Sequence, residues 1–189
     1  MLKNSQIDCI MYDGFEWRQG VTYMAKRDGY ISWDEFFMGA AMLCAERSKD
    51  PNTQVGACIV NDENRILSVG YNGFPAGCDD NVFPWDRSGD DPYDTKYLYV
   101  CHAELNAILN CRGRSLAGSR IYVALFPCNE CAKAIIQSGI KEVVYLSDKY
   151  AETSSTRASK RMFDAAGVKY TKLVPSKNEL VLNLREEDI

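Results

Sequence analysis

Histidine is almost missing from this chain of 189 residues: His102 is the only one. Any metal site must therefore draw its other ligands from different residue types. A basic excess is missing too. With 22 Lys and Arg against 26 Asp and Glu, the net charge of -4 gives no general pull toward a polynucleotide backbone, which rewards clustered cations. No nucleic-acid partner is expected, although a small anion could still be held by a local basic pocket. No apolar run approaches the roughly 20 residues needed to cross a bilayer. Nor does an apolar signal core follow a basic start. A cytoplasmic protein with no membrane partner is expected. Repeats and low-complexity tracts are also lacking. Cysteine, by contrast, is plentiful: eight are present, scattered along a chain with no secretory signal, so reduced thiols are expected.

The length and a hydrophobic content of 46% fit one domain with a sizeable core. Residues 1–29 show no clean period and read as an extension, partly ordered at best, ahead of a single domain over 30–189. Ser32-Trp33-Asp34-Glu35 has the spacing of a capping box, and the apolar residues after it predict a helix over about 33–48. Pro51 closes that helix. Strands are expected at 54–60 and 66–71, joined as a hairpin through the Asn61–Asn64 turn. A long aspartate-rich loop from Cys78 to about Tyr99 follows. Loops of this length in compact domains are commonly functional, so this one is expected to border the site.

Further on, helices are predicted at 102–111, 128–137 and 155–166, with Gly139 and Gly167 as stops. Strands are predicted at 119–125, 142–146 and 168–174, the last as a core strand, and a possible edge segment at 180–184. Strands alternating with helices after an initial hairpin predict a three-layer α/β/α sandwich around a central mixed sheet.

Two short motifs carry the chemistry: Cys101-His102-Ala103-Glu104 and Pro127-Cys128-Asn129-Glu130-Cys131. His102, Cys128 and Cys131 would each lie in the first turn of a helix, where the positive dipole end favours thiolates. Three protein ligands leave a tetrahedral zinc one position for water, whereas a structural site closes with a fourth side chain. Zinc lowers the pKa of such a water from 15.7 to roughly 7. Glu104, two residues beyond His102, is then placed to handle protons, a role contributing roughly a hundred- to ten-thousand-fold in rate. Cys101 should face elsewhere, since adjacent helical residues point about 100° apart. A zinc knuckle or a redox Cys-x-x-Cys is the structural alternative, but the His-x-Glu partner favours a catalytic ion. His-x-Glu with Pro-Cys-x-x-Cys is the known signature of zinc deaminases.

On these residues the chain resembles the cytidine deaminase superfamily. The Arg47–Asn52 and Gln54–Ala57 segments, Gly70–Gly73, Cys101–Ala107, Pro127–Lys133 and Ser147–Tyr150 narrow the resemblance to its deoxycytidylate deaminase family, over about residues 33–174. The resemblance implies one catalytic zinc on His102, Cys128 and Cys131, with Glu104 as proton shuttle. It implies hydrolysis of dCMP to dUMP and ammonia, supplying dUMP for thymidylate synthesis, in a homo-hexamer activated by dCTP and inhibited by dTTP, with Mg2+ accompanying the regulatory nucleotide. Val55, Gly56 and Ala57 would line the base pocket, and Asn72 would meet the sugar. The alternative for Asn72 is a simple turn former in an Asn-Gly pair. Lys149 and Tyr150 are candidates for the 5'-phosphate, against an ordinary solvated loop. Gly70, Tyr71, Gly73 and Gly77 could cradle a regulatory triphosphate through backbone N–H groups. A second, histidine-built structural zinc is not expected. Two other functions remain open: a deaminase of nucleic acid, which would need a basic channel, and a catalytically silent nucleotide-binding or zinc protein, against which Glu104 speaks.

Overall fold

The computed structural model of the chain describes residues 25–185, so most of the expected 1–29 extension lies outside the described residues. The chain divides into compact units at Tyr30/Ile31. Of the first, residues 25–30 form a bend with Lys26 Nζ 5.6 Å from the centre of the Tyr30 ring. No described helix is long and apolar enough to span a membrane.

In the second unit, α1 (Trp33–Ala45) is followed by β1 (Gly56–Val60) and β2 (Ile66–Tyr71). Then come α2 (Ala103–Asn110), β3 (Arg120–Leu125), α3 (Asn129–Gln137), β4 (Glu142–Ser147), α4 (Ser154–Ala166) and β5 (Lys169–Lys172). The sheet order is β2-β1-β3-β4-β5. β1 runs antiparallel to both β2 and β3, while β3, β4 and β5 are parallel. The sheet is mixed, as the sequence predicts.

β1 is buried along its whole length, and its period-2 alternation divides two cores. Ala57 and Ile59 join Ala103 and Ala107 of α2, Ala132 and Ile135 of α3, and Phe163 of α4. Cys58 and Val60 join Phe37, Met38 and Ala41 of α1 on the opposite face, with Tyr122 between them. Each fully buried Ile, Val or Phe in these clusters contributes roughly 1.5–3 kcal/mol. The result is the three-layer α/β/α arrangement.

Two glycines set how closely helices approach the sheet. A Cβ on Gly56 would stand 1.8 Å from the Ala41 carbonyl oxygen, and one on Gly70 2.3 Å from the Ala107 nitrogen. Backbone cannot move aside as a flexible side chain can. Gly56→Ala is expected to lower stability by about 3 kcal/mol, the upper part of the usual overpacking range. An unchanged urea midpoint would contradict that close approach.

The capping box forms as read. Ser32 Oγ accepts from Glu35 N at 3.2 Å, and Glu35 Oε2 accepts from Ser32 N at 2.8 Å. The other Glu35 oxygen accepts from Ser176 Oγ at 2.6 Å and Ser176 N at 2.7 Å. Hydrogen bonds from Ser176 and Ser32 hold this carboxyl down to about 2, from an ordinary 4.5. A depressed carboxylate contributes stability that is present above its ordinary pKa and is lost as pH falls toward its folded value. Glu35→Gln is therefore expected to flatten the loss of stability between pH 4.5 and 2, followed as the urea midpoint against pH. An unaltered acid slope would rule out this source.

The sequence misjudges the C-terminal end. β5 is a short outer strand with mostly exposed residues, where the 168–174 reading expected a core strand. Only one neighbouring strand covers it, and Val174 is exposed. Residues 180–184 form no strand. Instead Ser176 bonds α1, and Leu180 lies against Gly39 of the same helix. At the other edge, Asn106 and Asn110 of α2 donate to the carbonyls of Tyr71 and Val69 at 2.8 and 3.1 Å. Two acceptors of the outer strand β2 are thereby satisfied within the chain.

Candidate active site

The backbone delivers His102 from two directions. Gly73, just beyond β2, pairs with Cys101 through Gly73 N to Cys101 O at 3.1 Å and Cys101 N to Gly73 O at 2.9 Å. This bridge fixes the chain immediately before α2. His102 and Cys128 are then the N-cap residues of α2 and α3, extended in backbone and making no side-chain cap bond. Both thus sit one position before the first turns the sequence predicts. Cys101 is not in the cluster of candidate ligands, and it lies not in a helix but in the backbone bridge to Gly73.

His102 Nδ1 lies 3.4 Å from Cys128 Sγ and 3.5 Å from Cys131 Sγ. All three ligand atoms fall within 4.8 Å of one another. Zinc bonds of about 2.3 Å to sulfur and about 2.0–2.1 Å to nitrogen, at tetrahedral angles, place S and N about 3.5 Å apart. The donor set and spacing fit zinc. Asn129 N, at the start of α3, donates to Ser155 Oγ at 3.2 Å, so α4 braces the helix that carries both cysteines.

The three groups share their protons unequally. Cys128 is lowered to about 4 by hydrogen bonding from the Cys131 thiol and from His102, against the opposing effect of burial. His102 is raised to about 9, chiefly by its bond to Cys128. Cys131 is pushed up because its thiol serves Cys128 and is itself buried. Metal binding requires all three to be free of the proton at the ligating atom, so an ion displaces those held by His102 and Cys131. Glu104 is 5% exposed, and burial raises its carboxyl above the usual range. A carboxyl shifted upward in this way suits a group that must both take and give a proton.

A cavity of about 330 Å³ opens on His102, Glu104 and Cys128. The long loop borders it, as expected, contributing Arg87, Lys96 and Tyr97. That loop has its own aromatic packing. Phe74 stacks on Trp85 at 4.1 Å and meets Phe83 at 5.5 Å, and Phe83 meets Tyr99 at 5.2 Å. The other predicted residues divide. Val55, Asn72 and Tyr150 line the cavity; Gly56, Ala57 and Lys149 do not. Gly56 backs onto α1 and Ala57 is in the core. Lys149 Nζ instead sits 5.1 Å from the centre of the Tyr150 ring. Asn72 is buried, and its carboxamide accepts from Val55 N at 2.8 Å and donates to Thr53 O at 3.0 Å and Asp50 Oδ2 at 3.3 Å. It holds the approach to β1 together while forming part of the cavity wall.

Sequence reasoning missed a buried ion pair beside the cavity. Lys96 Nζ bonds Asp50 Oδ2, with side chains 8% and 2% exposed. Burial opposes charge on Asp50, but hydrogen bonds from Lys96 and from the N–H groups of Asn52 and Thr53 prevail and hold its carboxyl below the usual range. The regulatory candidates Tyr71, Gly73 and Gly77 line a second cavity of about 240 Å³. Gly70 does not, because it is the contact point for α2.

A mixed sheet that brings a histidine and two cysteines together at two helix starts, beside a buried carboxylate, defines a zinc-dependent hydrolytic deaminase. Residues 31–147 match the family model described as the cytidine and deoxycytidylate deaminase zinc-binding region. The chain belongs to that family. It is 56% identical over 158 residues to the deoxycytidylate deaminase of Homo sapiens, covering 84% of this chain and 89% of the relative. It is also 56% identical over 163 residues to a probable deoxycytidylate deaminase of Drosophila melanogaster, covering 84% and 80%. Among solved structures, the dCMP deaminase of cyanophage S-TIM5 in complex with dCMP and dUMP is similar with a TM-score of 0.59 and 27% identity, over 74% of this chain and 95% of that one.

Proposed function

We propose that this chain hydrolyses dCMP to dUMP and ammonia and thereby supplies dUMP for thymidylate synthesis. The observation that carries the reading is a buried Glu104 in the same cavity as His102 and Cys128, with Cys131 completing the metal trio. Zinc held by these three residues would supply an acidified water at neutral pH. Glu104 would move one proton of the water to N3 of the cytosine ring as the water oxygen bonds to C4 and the C4=N3 double bond becomes single. It would then move the proton of the new C4 hydroxyl to the amino group, so that C4=O forms, the C4–N bond breaks and ammonia leaves. Val55 and Asn72 wall the cavity on the β1 side, and Tyr97 and Tyr150 add aromatic surface. Enclosure of this kind positions the base and excludes competing solvent.

The reading extends to regulation by dCTP as activator and dTTP as inhibitor. The second cavity supports it, since Tyr71, Gly73 and Gly77 line it together with Lys49. Mg2+ would accompany the nucleotide, with Asp80 in the same wall as an oxygen donor. A cytoplasmic homo-hexamer completes the proposal, residues 1–29 being an extension to a deaminase domain over 30–189. The seven described cysteines are all free thiols, which fits a reducing compartment.

The testing experiment is a deamination assay of the zinc-loaded chain on dCMP, CMP, deoxycytidine and single-stranded DNA, with and without dCTP and Mg2+. The expected result is dUMP formation from dCMP, raised by dCTP, and no turnover of DNA. Failure to turn over dCMP would sink the proposal.

A further inference from the structure

Two non-histidine cations line the cavity of about 330 Å³, Arg87 and Lys96. They differ in what they have to offer a ligand. Lys96 is buried and bonded to Asp50, so its charge is already balanced within the protein. Arg87 is exposed and lines the same cavity, which places it at the solvent rim. Its Nε–H donates to Tyr97 Oη at 3.2 Å. Among the described residues no protein acceptor is bonded to its two terminal nitrogens, leaving the forked face of the guanidinium for a ligand. That fork matches the oxygens of a phosphate in two parallel hydrogen bonds.

The loop fixes this arginine from behind. Lys96 N–H donates to the carbonyl of Asp86, the residue before Arg87, at 3.0 Å. The Lys96 side chain is in turn anchored on Asp50, next to the segment leading into β1. Tyr97, the next residue, orients the guanidinium. Lys149 has no comparable position, for its ammonium rests against the Tyr150 ring and does not line the cavity.

We infer that Arg87, oriented by Tyr97 and held in place through the Lys96–Asp50 pair, binds the 5'-phosphate of the substrate and sets the preference for a nucleotide over a nucleoside. This deepens the proposed dCMP reading and rests on it. It also moves the phosphate contact from Lys149 to the long loop.

The test is steady-state kinetics of the zinc-loaded chain on dCMP and deoxycytidine, for wild type, Arg87→Gln, Arg87→Lys and Lys149→Ala. Losing a hydrogen-bonded charge partner should lower the ratio of kcat/KM for dCMP to that for deoxycytidine by about 10- to 100-fold in Arg87→Gln. The change should fall mainly on KM for dCMP, and Arg87→Lys should recover part of it. Lys149→Ala should leave the ratio within about threefold, the scale of a solvent-screened charge. A wild-type preference for dCMP that Arg87→Gln retains would overturn this inference alone. So would a loss of preference in Lys149→Ala in place of Arg87→Gln. A wild-type chain that handles dCMP no better than deoxycytidine would overturn the dCMP reading together with it.

Discussion

Glu104→Gln is expected to bind zinc as wild type does and to lose deaminase activity by roughly a hundred- to ten-thousand-fold or more. The substitution keeps the volume and shape of a side chain that is 5% exposed. It removes the proton-carrying oxygen and little else. None of the atoms proposed as metal ligands belongs to Glu104, so metal content measured by elemental analysis should stay at that of wild type. Stability should change little, and could rise slightly, because burial works against the charged form of the carboxyl that is replaced. Near wild-type turnover in this variant would remove Glu104 as proton carrier. Loss of zinc along with activity would make it a part of the metal site and not the shuttle.

Cys128→Ala is expected to fail at the earlier step, metal retention. Outer partners of metal ligands commonly change affinity by about 10- to 100-fold, and a ligand itself should exceed that. The variant leaves His102 without the sulfur 3.4 Å away that chiefly raises its pKa to about 9. Dialysis against a weak chelator should strip the variant while wild type keeps its zinc. Amide exchange should quicken at the starts of α2 and α3, where the trio converges. Full zinc content after the same dialysis would refute Cys128 as a ligand. Together the two variants separate chemistry from assembly of the site.

The parts of the molecule legible in the sequence are those written in short spacings. His-x-Glu and Pro-Cys-x-x-Cys place four functional side chains within two stretches of a few residues. The Ser32/Glu35 box and the Asn61–Asn64 turn likewise depend on neighbours three or four positions apart. β1 is readable as a strand because both faces of a central strand are apolar, giving a short continuous apolar run. What escaped depends on distant pairings. Asp50 and Lys96 are 46 residues apart, and a lysine within an aspartate-rich loop reads as solvated until a buried partner is found for it. Arg87 was passed over for the same reason. Lys149 looked like an anion contact because charge and phenol share a loop, but adjacency in sequence does not fix direction, and its ammonium lies on the neighbouring ring. Gly70 reads as part of a triphosphate cradle, but it is a contact point for α2. The outer position of β5 follows from sheet order, which no local pattern encodes.

The four α-helices among the described residues differ in how they begin. α1 opens on Ser32 and α4 on Thr153, each of which accepts a hydrogen bond from its own helix through its side chain. α2 and α3 open on His102 and Cys128, which face each other and cap nothing. A capping side chain is commonly worth about 1 kcal/mol, and two helices forgo it at the point where the metal trio meets. The ion would then cross-link two helix starts that lack a capping bond, tying them together through their first residues. Zinc supply would thereby govern the integrity of this end of the molecule as well as its chemistry, and a chain starved of metal would be impaired in architecture before any substrate arrived.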